Sequence, residues 1–161
     1  MKPMIAQALH SGVDRLENMW LSIARVWYAQ RFARAPGYVF TKVYAAPHSK
    51  RWMEHLGSLA GKPNVRFLEV GSFEGGSAVW FLENILTHPT SAITCIDPFV
   101  RAGSEAVFDH NMRVAAGGSR VTKIKGRSES IMAGLEQGAY DAIYIDGNHH
   151  AQNVLMDGVA G

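Results

Sequence analysis

Two different spacings of hydrophobic residues divide the chain. Over the first 60 residues, apolar side chains recur at steps of three or four, which is the spacing of one helix face. The pattern predicts a long amphipathic helix from Ile5 to Trp27 and a second helix from about Ser49 to Ala60. Beyond residue 64, short apolar runs that predict buried strands alternate with helical patterns. We therefore expect a helical region over residues 1–60 and an α/β domain over residues 61–161.

The alternation of strands and helices is typical of a doubly wound, Rossmann-like α/β domain with a mostly parallel sheet. The predicted strands occupy residues 65–70, 92–96, 120–124 and 140–145. The predicted helices occupy residues 77–87, 104–116 and 128–135, with Ser128 as a candidate N-cap, and a last helix begins near residue 151. In such a domain the loops at the carboxyl ends of neighbouring strands meet in one crevice, where ligands bind.

The first predicted strand ends in a glycine-rich turn, and Ser77 opens the helix that follows. Gly71 allows a sharp turn, and we expect Gly75 to let the backbone come close to a ligand. The spacing from Glu69 through Gly71 to Gly75 is E-x-G-x-x-x-G, which differs from the G-x-G-x-x-G of pyrophosphate-binding dehydrogenases. A pyrophosphate disfavours a nearby carboxylate, whereas the ammonium and sulfonium groups of S-adenosylmethionine favour an acid such as Glu69.

Asp97 comes directly after the second predicted strand. A carboxylate at this place in a doubly wound fold holds the ribose hydroxyls of a nucleotide, and the alternative role is a helix or turn cap. Pro98 and Phe99 follow it and are candidates for an apolar wall against the adenine ring. After the third strand, Ser128 and Glu129 are expected to meet the adenine edge.

Three stretches, read together, resemble class I S-adenosylmethionine-dependent methyltransferases, in particular the catechol and macrocin-type O-methyltransferases that act on small molecules. They read L-E-V-G-S-F-E-G-G-S, I-T-C-I-D-P-F and Y-I-D-G-N-H-H. The resemblance covers roughly residues 65–157 and implies the first four strands of that fold, in the spatial order 3-2-1-4. It implies a cofactor site made of Glu69, Gly71, Ser72, Gly75, Ser77, Asp97 and Ser128.

The resemblance also implies roles for residues that follow the fourth predicted strand. In this branch an acid at that position is often a Mg²⁺ ligand, which here is Asp146. A divalent ion would fix the acceptor hydroxyl and lower its pKa. Catechol-type relatives place a lysine base three residues further on, where this chain has His149, a residue type that serves as a base near neutral pH. Alternatively, His149 and His150 only cap or solvate the last helix.

The chain departs from the pattern of these relatives after its fourth strand. The class has a seven-stranded sheet, and the acidic pair that usually completes the metal site after the fifth strand has no counterpart here. The almost continuously apolar run 140–145 would then be an unprotected sheet edge. We therefore expect a truncated product, a fragment or a half-domain that pairs with another chain, with weak cofactor binding and poor catalysis.

Two further classes of protein compete with a methyltransferase acting on a hydroxyl. A nicotinamide-dependent oxidoreductase uses the same strand–turn–helix, but the E-x-G-x-x-x-G spacing disfavours it. A protein-interaction module would use the amino-terminal helix and the fourth strand as docking surfaces, although a remnant has no need to keep the cofactor-motif residues together. A phosphate-binding NTPase lacks its G-x-x-x-x-G-K-[ST] motif.

Composition limits the partners and the compartment. The 161 residues are 47% hydrophobic and 19% charged, and the formal net charge of +2 is too small to indicate nucleic acid binding. Cys95, the only cysteine, lies in an apolar run and is expected to be a packed thiol. The sequence shows neither a secretory signal nor a stretch of roughly 20 apolar residues, so we expect a cytoplasmic protein. Its expected partners are a small-molecule acceptor and a second copy, bound through the basic amino-terminal helix or the fourth strand.

Overall fold

The structure, a computed structural model, describes residues 37–41 and 48–146. Four strands alternate with helices along these residues. The strands are β1 (Arg66–Val70), β2 (Ala92–Asp97), β3 (Val121–Lys125) and β4 (Ala142–Ile145). The α-helices are α1 (Ser49–Leu56), α2 (Gly76–Asn84), α3 (Ser104–Val114) and α4 (Ser128–Met132), and short 3₁₀ turns occupy Gly57–Leu59 and Gly118–Arg120.

The four strands form one parallel sheet in the order β3-β2-β1-β4. This confirms the predicted Rossmann-like α/β fold and the 3-2-1-4 order. In the register, Glu69 lies between Cys95 of β2 and Tyr144 of β4. Because all strands are parallel, their carboxyl ends share one edge, and the turns that follow β1, β2 and β4 are brought together there.

The sheet is covered on both faces, as the continuous apolar runs of its strands require. On one face, Phe67, Ile93 and Cys95 pack with α2 and α3 in the larger hydrophobic cluster. Trp52 of α1 joins this cluster through ring contacts with Trp80, Phe81 and Tyr144. The opposite face has a smaller cluster of Leu68, Val70, Ile96 and Met132. Cys95 is fully buried, as predicted for a packed thiol.

Several predicted boundaries differ from those of the structure. The second predicted helix ends as α1 at Leu56 and continues only as a 3₁₀ turn, and α4 ends at Met132. Ser128 is the first residue of α4 and not its N-cap, which is Arg127 without a side-chain capping bond. The predicted helix over residues 5–27 lies outside the described residues. Among the helices of the described residues, none has the length and apolar character needed to cross a membrane.

Candidate functional site

A cleft of about 380 Å³ lies at the carboxyl edge of the sheet. This volume falls within the range of small-molecule and cofactor sites. Its lining combines strand ends, the turn after β1 and the start of α4. The lining residues are Val70, Gly71, Phe73, Ile96, Asp97, Pro98, Val100, Arg101, Ser104, Arg127, Ser128, Glu129 and Asp146.

The turn after β1 is shaped by glycines with left-handed backbone. Gly71 has φ of 93° and donates its N–H to Ile96 O at 2.8 Å, which joins this turn to the end of β2. Gly75, the N-cap of α2, has φ of 81°. A Cβ atom at Gly75 would lie 2.7 Å from Met112 Cε and 3.1 Å from Phe108 Cδ2. The missing side chain at Gly75 therefore makes room for α3.

Asp97 connects the loops on two sides of the cleft. Its Oδ2 accepts a hydrogen bond from Phe73 N at 2.8 Å, and its Oδ1 accepts one from Phe99 N at 2.6 Å. Its main-chain oxygen accepts the N–H of Gly126, after β3, at 3.0 Å. Asp97 is only half-buried and also lines the cleft. The same side chain therefore caps the two loops and faces the space where a ligand would bind.

Glu69 lies beneath the turn after β1 and does not line the cleft. Its side chain is fully buried, and its Oε2 accepts a weak hydrogen bond from Cys95 Sγ at 3.4 Å. Burial raises the pKa of Glu69 to about 7, while the nearby Ser77 and Ser72 hydroxyls and the Cys95 thiol oppose that rise. Within the described part of the chain, Glu69 Oε1 and the buried Ser72 Oγ have no hydrogen-bond partner. Two unsatisfied polar atoms therefore lie under this turn.

Asp146 is the first residue after β4 and lines the cleft opposite Asp97. Its N–H donates to Val70 O at 2.8 Å, which fixes it beside the end of β1. Its charge adds to the rise in the pKa of Glu69, and it is the second cause, after burial, of the raised pKa of the Tyr144 hydroxyl. The β1–β4 side of the cleft is therefore electronegative, which favours a cationic group of a ligand.

The opposite wall of the cleft carries cations and hydroxyl groups. Arg101 lies over the ring of Phe73, with its Cζ 5.5 Å from the ring centroid. Arg127 and Glu129 form an exposed ion pair at 3.6 Å next to Ser128. Pro98 lines this wall, as predicted for an apolar surface against adenine, whereas Phe99 is buried against Phe108 at 5.3 Å between ring centroids.

The structure brings only part of the predicted site to the cleft. The predicted residues that line it are Gly71, Asp97, Ser128 and Asp146. Glu69, Ser72, Gly75 and Ser77 belong to the turn or to the layer beneath it. His149 lies outside the described residues. Within residues 37–41 and 48–146, no group of three or more histidine, cysteine or acidic side chains has metal-binding geometry.

Sequence reasoning missed a set of contacts that holds residues 37–41, hereafter the amino-terminal segment, against the turn after β1. The buried Glu74 carboxylate accepts hydrogen bonds from Thr41 N at 2.7 Å and Thr41 Oγ1 at 2.6 Å. Asn111 of α3 accepts from Val39 N at 2.9 Å and donates to Val39 O at 2.7 Å and to Glu74 O at 2.8 Å. Polar residues in apolar surroundings, such as Asn111 between Phe108 and Met112, are the signal that was available.

The parallel sheet and the cleft at its carboxyl edge define a Rossmann-like α/β class of protein. Comparison with known families narrows this class, because residues 68–160 match the model of a methyltransferase domain. That match spans more than half of the chain, so the chain belongs to this methyltransferase domain family.

Individual proteins and solved structures are similar to this chain. "Uncharacterized protein R132" of Acanthamoeba polyphaga mimivirus is 32% identical over 110 residues, which are 65% of this chain and 48% of that protein. The crystal structure of cofactor-bound Rv0187 from MTB superposes with a TM-score of 0.57 and 17% identity, over 88% of this chain and 60% of that one. The O-methyltransferase TomG from Streptomyces achromogenes, in complex with SAM, gives a TM-score of 0.52 and 21% identity, over 80% of this chain and 53% of the TomG chain.

The chain is shorter than these relatives. It spans about half the length of the mimivirus protein and 60% of the Rv0187 chain. The structural similarity, at 17% and 21% identity, establishes the fold.

Proposed function

We propose that the chain binds S-adenosylmethionine in the cleft and serves methyl transfer to a hydroxyl group of a small molecule. The observation that carries this proposal is the cleft itself, where Gly71, Asp97, Ser128 and Asp146, which follow or end four different strands, line one volume of about 380 Å³ in a methyltransferase-family fold. The O-methyltransferase TomG, with SAM bound, supports the choice of cofactor and of a hydroxyl acceptor. The family match favours this function over hydride transfer and over an interaction module.

The residues on the two sides of the cleft fit the two halves of this cofactor. Asp97 and Ser128 offer acceptors and a hydroxyl for the ribose and the adenine edge, and Pro98 offers an apolar surface. Asp146 makes the other side electronegative, which suits an ammonium and a sulfonium. The unsatisfied Glu69 Oε1 and Ser72 Oγ lie on this same side. Gly71, Gly75 and Ser77 hold the turn between these two halves.

When bound, S-adenosylmethionine would supply a methyl group on a positively charged sulfur. The methyl carbon would go to the acceptor oxygen, and the sulfur would be the leaving group. The protein's own contribution is mostly positioning, because the cleft fixes the electrophile relative to the acceptor. We assign His149 as the base that takes the proton of the acceptor hydroxyl, and Asp146, three residues earlier, as a second functional residue. Mg²⁺ at Asp146 is the finer part of this proposal, and within the described residues Asp146 does not belong to a group of three or more histidine, cysteine or acidic side chains that could hold a metal ion.

Calorimetric titration of S-adenosylmethionine and S-adenosylhomocysteine, with NADH as the negative control, tests the cofactor. We expect the wild type to bind both sulfur nucleotides and not NADH. Asp97→Ala should weaken their binding by roughly 1–3 kcal/mol, because hydrogen bonds to a charged group are lost.

Asp141→Ala is the matched control for this titration, since Asp141 Oδ2 accepts Arg66 N at 2.8 Å at the opposite end of the sheet. This variant also loses a carboxylate-to-amide bond but should bind as the wild type does. Binding of NADH, or a folded wild type that binds neither sulfur nucleotide, would exclude the proposed cofactor.

A further inference from the structure

The carboxylate of Asp97 holds two residues in an unusual backbone conformation. Phe73, in the turn after β1, has φ of 47°, and Phe99, in the loop after β2, has φ of 48°. Both are non-glycine residues, and the Cβ atom of such a residue disfavours left-handed backbone. The N–H of each donates to a different oxygen of Asp97, at 2.8 Å and 2.6 Å. One side chain therefore stabilises two strained loops that border the same cleft.

The two loops depend on Asp97 to different degrees. The Phe99 ring is 8% exposed, packs on Phe108 and has Lys123 Nζ 5.6 Å from its centroid, so side-chain packing also fixes its loop. Phe73 instead lines the cleft and has the exposed Arg101 over its ring. Removal of the Asp97 carboxylate should therefore affect Phe73 more than Phe99.

Holding these loops leaves Asp97 able to bind a ligand as well. A carboxylate has about four lone-pair sites, and the two amide bonds use one on each oxygen. The remaining sites belong to a residue that lines the cleft. A nucleoside placed there would meet the Asp97 carboxylate on one side and the Phe73 ring on another.

We propose that Asp97 is a positioning residue for Phe73 in addition to its ribose-binding role: it holds the turn after β1 in the shape that makes the Phe73 ring a wall of the cofactor cleft before any ligand binds. This inference rests on the proposed function for the identity of the ligand. The positioning itself can be tested in the protein without any ligand. A preformed wall lowers the ordering cost of binding.

The first test uses no ligand, so it is independent of the proposed function. Amide hydrogen exchange measured by NMR compares the wild type with Asp97→Asn and Asp97→Ala. We expect exchange at Phe73 to be at least about tenfold faster in Asp97→Ala, the factor that corresponds to loss of one amide hydrogen bond, with a smaller change at Phe99. Asp141→Ala should speed exchange at Arg66 and leave Phe73 unchanged. Asp97→Asn keeps one acceptor oxygen and covers the case in which the alanine variant does not fold.

The second test separates positioning from direct ribose contact. S-adenosylhomocysteine and its 2′,3′-dideoxy analogue, which lacks both ribose hydroxyls, are titrated into the wild type and the Asp97 variants. A role limited to ribose binding predicts that the dideoxy analogue binds the wild type and the variants equally. We expect it to bind Asp97→Ala about tenfold more weakly than the wild type, because the Phe73 wall is no longer preformed.

Unchanged exchange at Phe73 in both Asp97 variants would overturn the proposal, as would equal binding of the dideoxy analogue by wild type and variants. If the wild type binds no sulfur nucleotide, the proposed cofactor is wrong, and the exchange experiment still decides the positioning role of Asp97.

Discussion

At the residue scale, Glu69 shows how far burial changes an acidic side chain. It is fully buried between neighbouring strands, with one oxygen unsatisfied, and its pKa is raised to about 7, mainly by burial. Between pH 4.5 and about pH 7, the Glu69 carboxyl therefore keeps its proton in the folded protein and has lost it in the unfolded chain. Such a group stabilises the fold below its unfolded pKa, and that contribution is lost as the pH rises through the folded pKa.

Replacement of this carboxyl by an amide should remove the pH dependence that it causes. Glu69→Gln is expected to lose less stability than the wild type between pH 4.5, the ordinary value for glutamate, and about pH 7. The difference in free energy of unfolding between the two proteins should change by roughly 3 kcal/mol across this pH range, since one pKa unit corresponds to about 1.4 kcal/mol. Urea unfolding at several pH values measures it.

The control for this titration is Glu136→Gln, which removes an exposed acid. Its stability should follow that of the wild type at every pH. If the free energies of unfolding of Glu69→Gln and the wild type change with pH in the same way, Glu69 is not the group that takes up the proton on folding.

At the element scale, α2 and α3 both begin after a left-handed glycine. Gly75 precedes α2 with φ of 81°, and Gly103 precedes α3 with φ of 84°. They differ in their surroundings, because a Cβ at Gly75 would contact Met112 and Phe108 at 3.1 Å or less, whereas one at Gly103 would meet nothing within 4 Å. The pair therefore separates backbone strain from packing.

Alanine at these two positions should give unequal losses of stability. Gly103→Ala is expected to cost about 1 kcal/mol, the typical strain of a left-handed alanine. Gly75→Ala should cost a further 1–3 kcal/mol or so, since the α2–α3 packing must shift to admit a methyl group. Urea midpoints of the two variants measure the difference, and equal midpoints would mean that α3 moves away without cost.

The elements also show what the sequence could and could not predict. Apolar runs such as Phe67–Val70 identify strands because a parallel sheet buries both faces of each strand. Asp97 and Asp146 each come at the end of such a run, and both line the cleft. The role of Gly75 was not predictable, since it depends on Phe108 and Met112 of α3, which no local pattern connects to the turn.

At the scale of the whole molecule, long-range polar contacts join the amino-terminal segment to the core. Asn111, fully buried, binds both the N–H and the carbonyl of Val39 across 72 positions of sequence, and Glu74 binds Thr41 across 33. Neither pair follows from local spacing, which is why sequence reasoning missed them. Helices and strands are recognised in a sequence because their apolar residues recur at regular spacings. Hydrogen bonds between distant residues leave no such regular spacing.

Removal of the Asn111 side chain should release this segment and leave the sheet intact. Asn111→Ala leaves Val39 without its two bonds and Glu74 O without its donor, so we expect a loss of roughly 2 kcal/mol and faster amide exchange at Val39. Asn84→Ala is the matched control, because its amide donates to Trp80 O within α2. That variant should leave Val39 exchange unchanged, and the same result in Asn111→Ala would contradict this role.

Both hydrogen bonds between Asn111 and Val39 use main-chain atoms of Val39, whose own side chain is half exposed at 49%. These two hydrogen bonds therefore do not depend on which side chain occupies position 39. In a set of homologous sequences, position 39 should accept many residue types, while positions 74 and 111 should keep an acid and an amide. The hydrogen bonds that fix position 39 are thus specified by Asn111 in the core, so related proteins can vary the side chain at this position and keep the attachment.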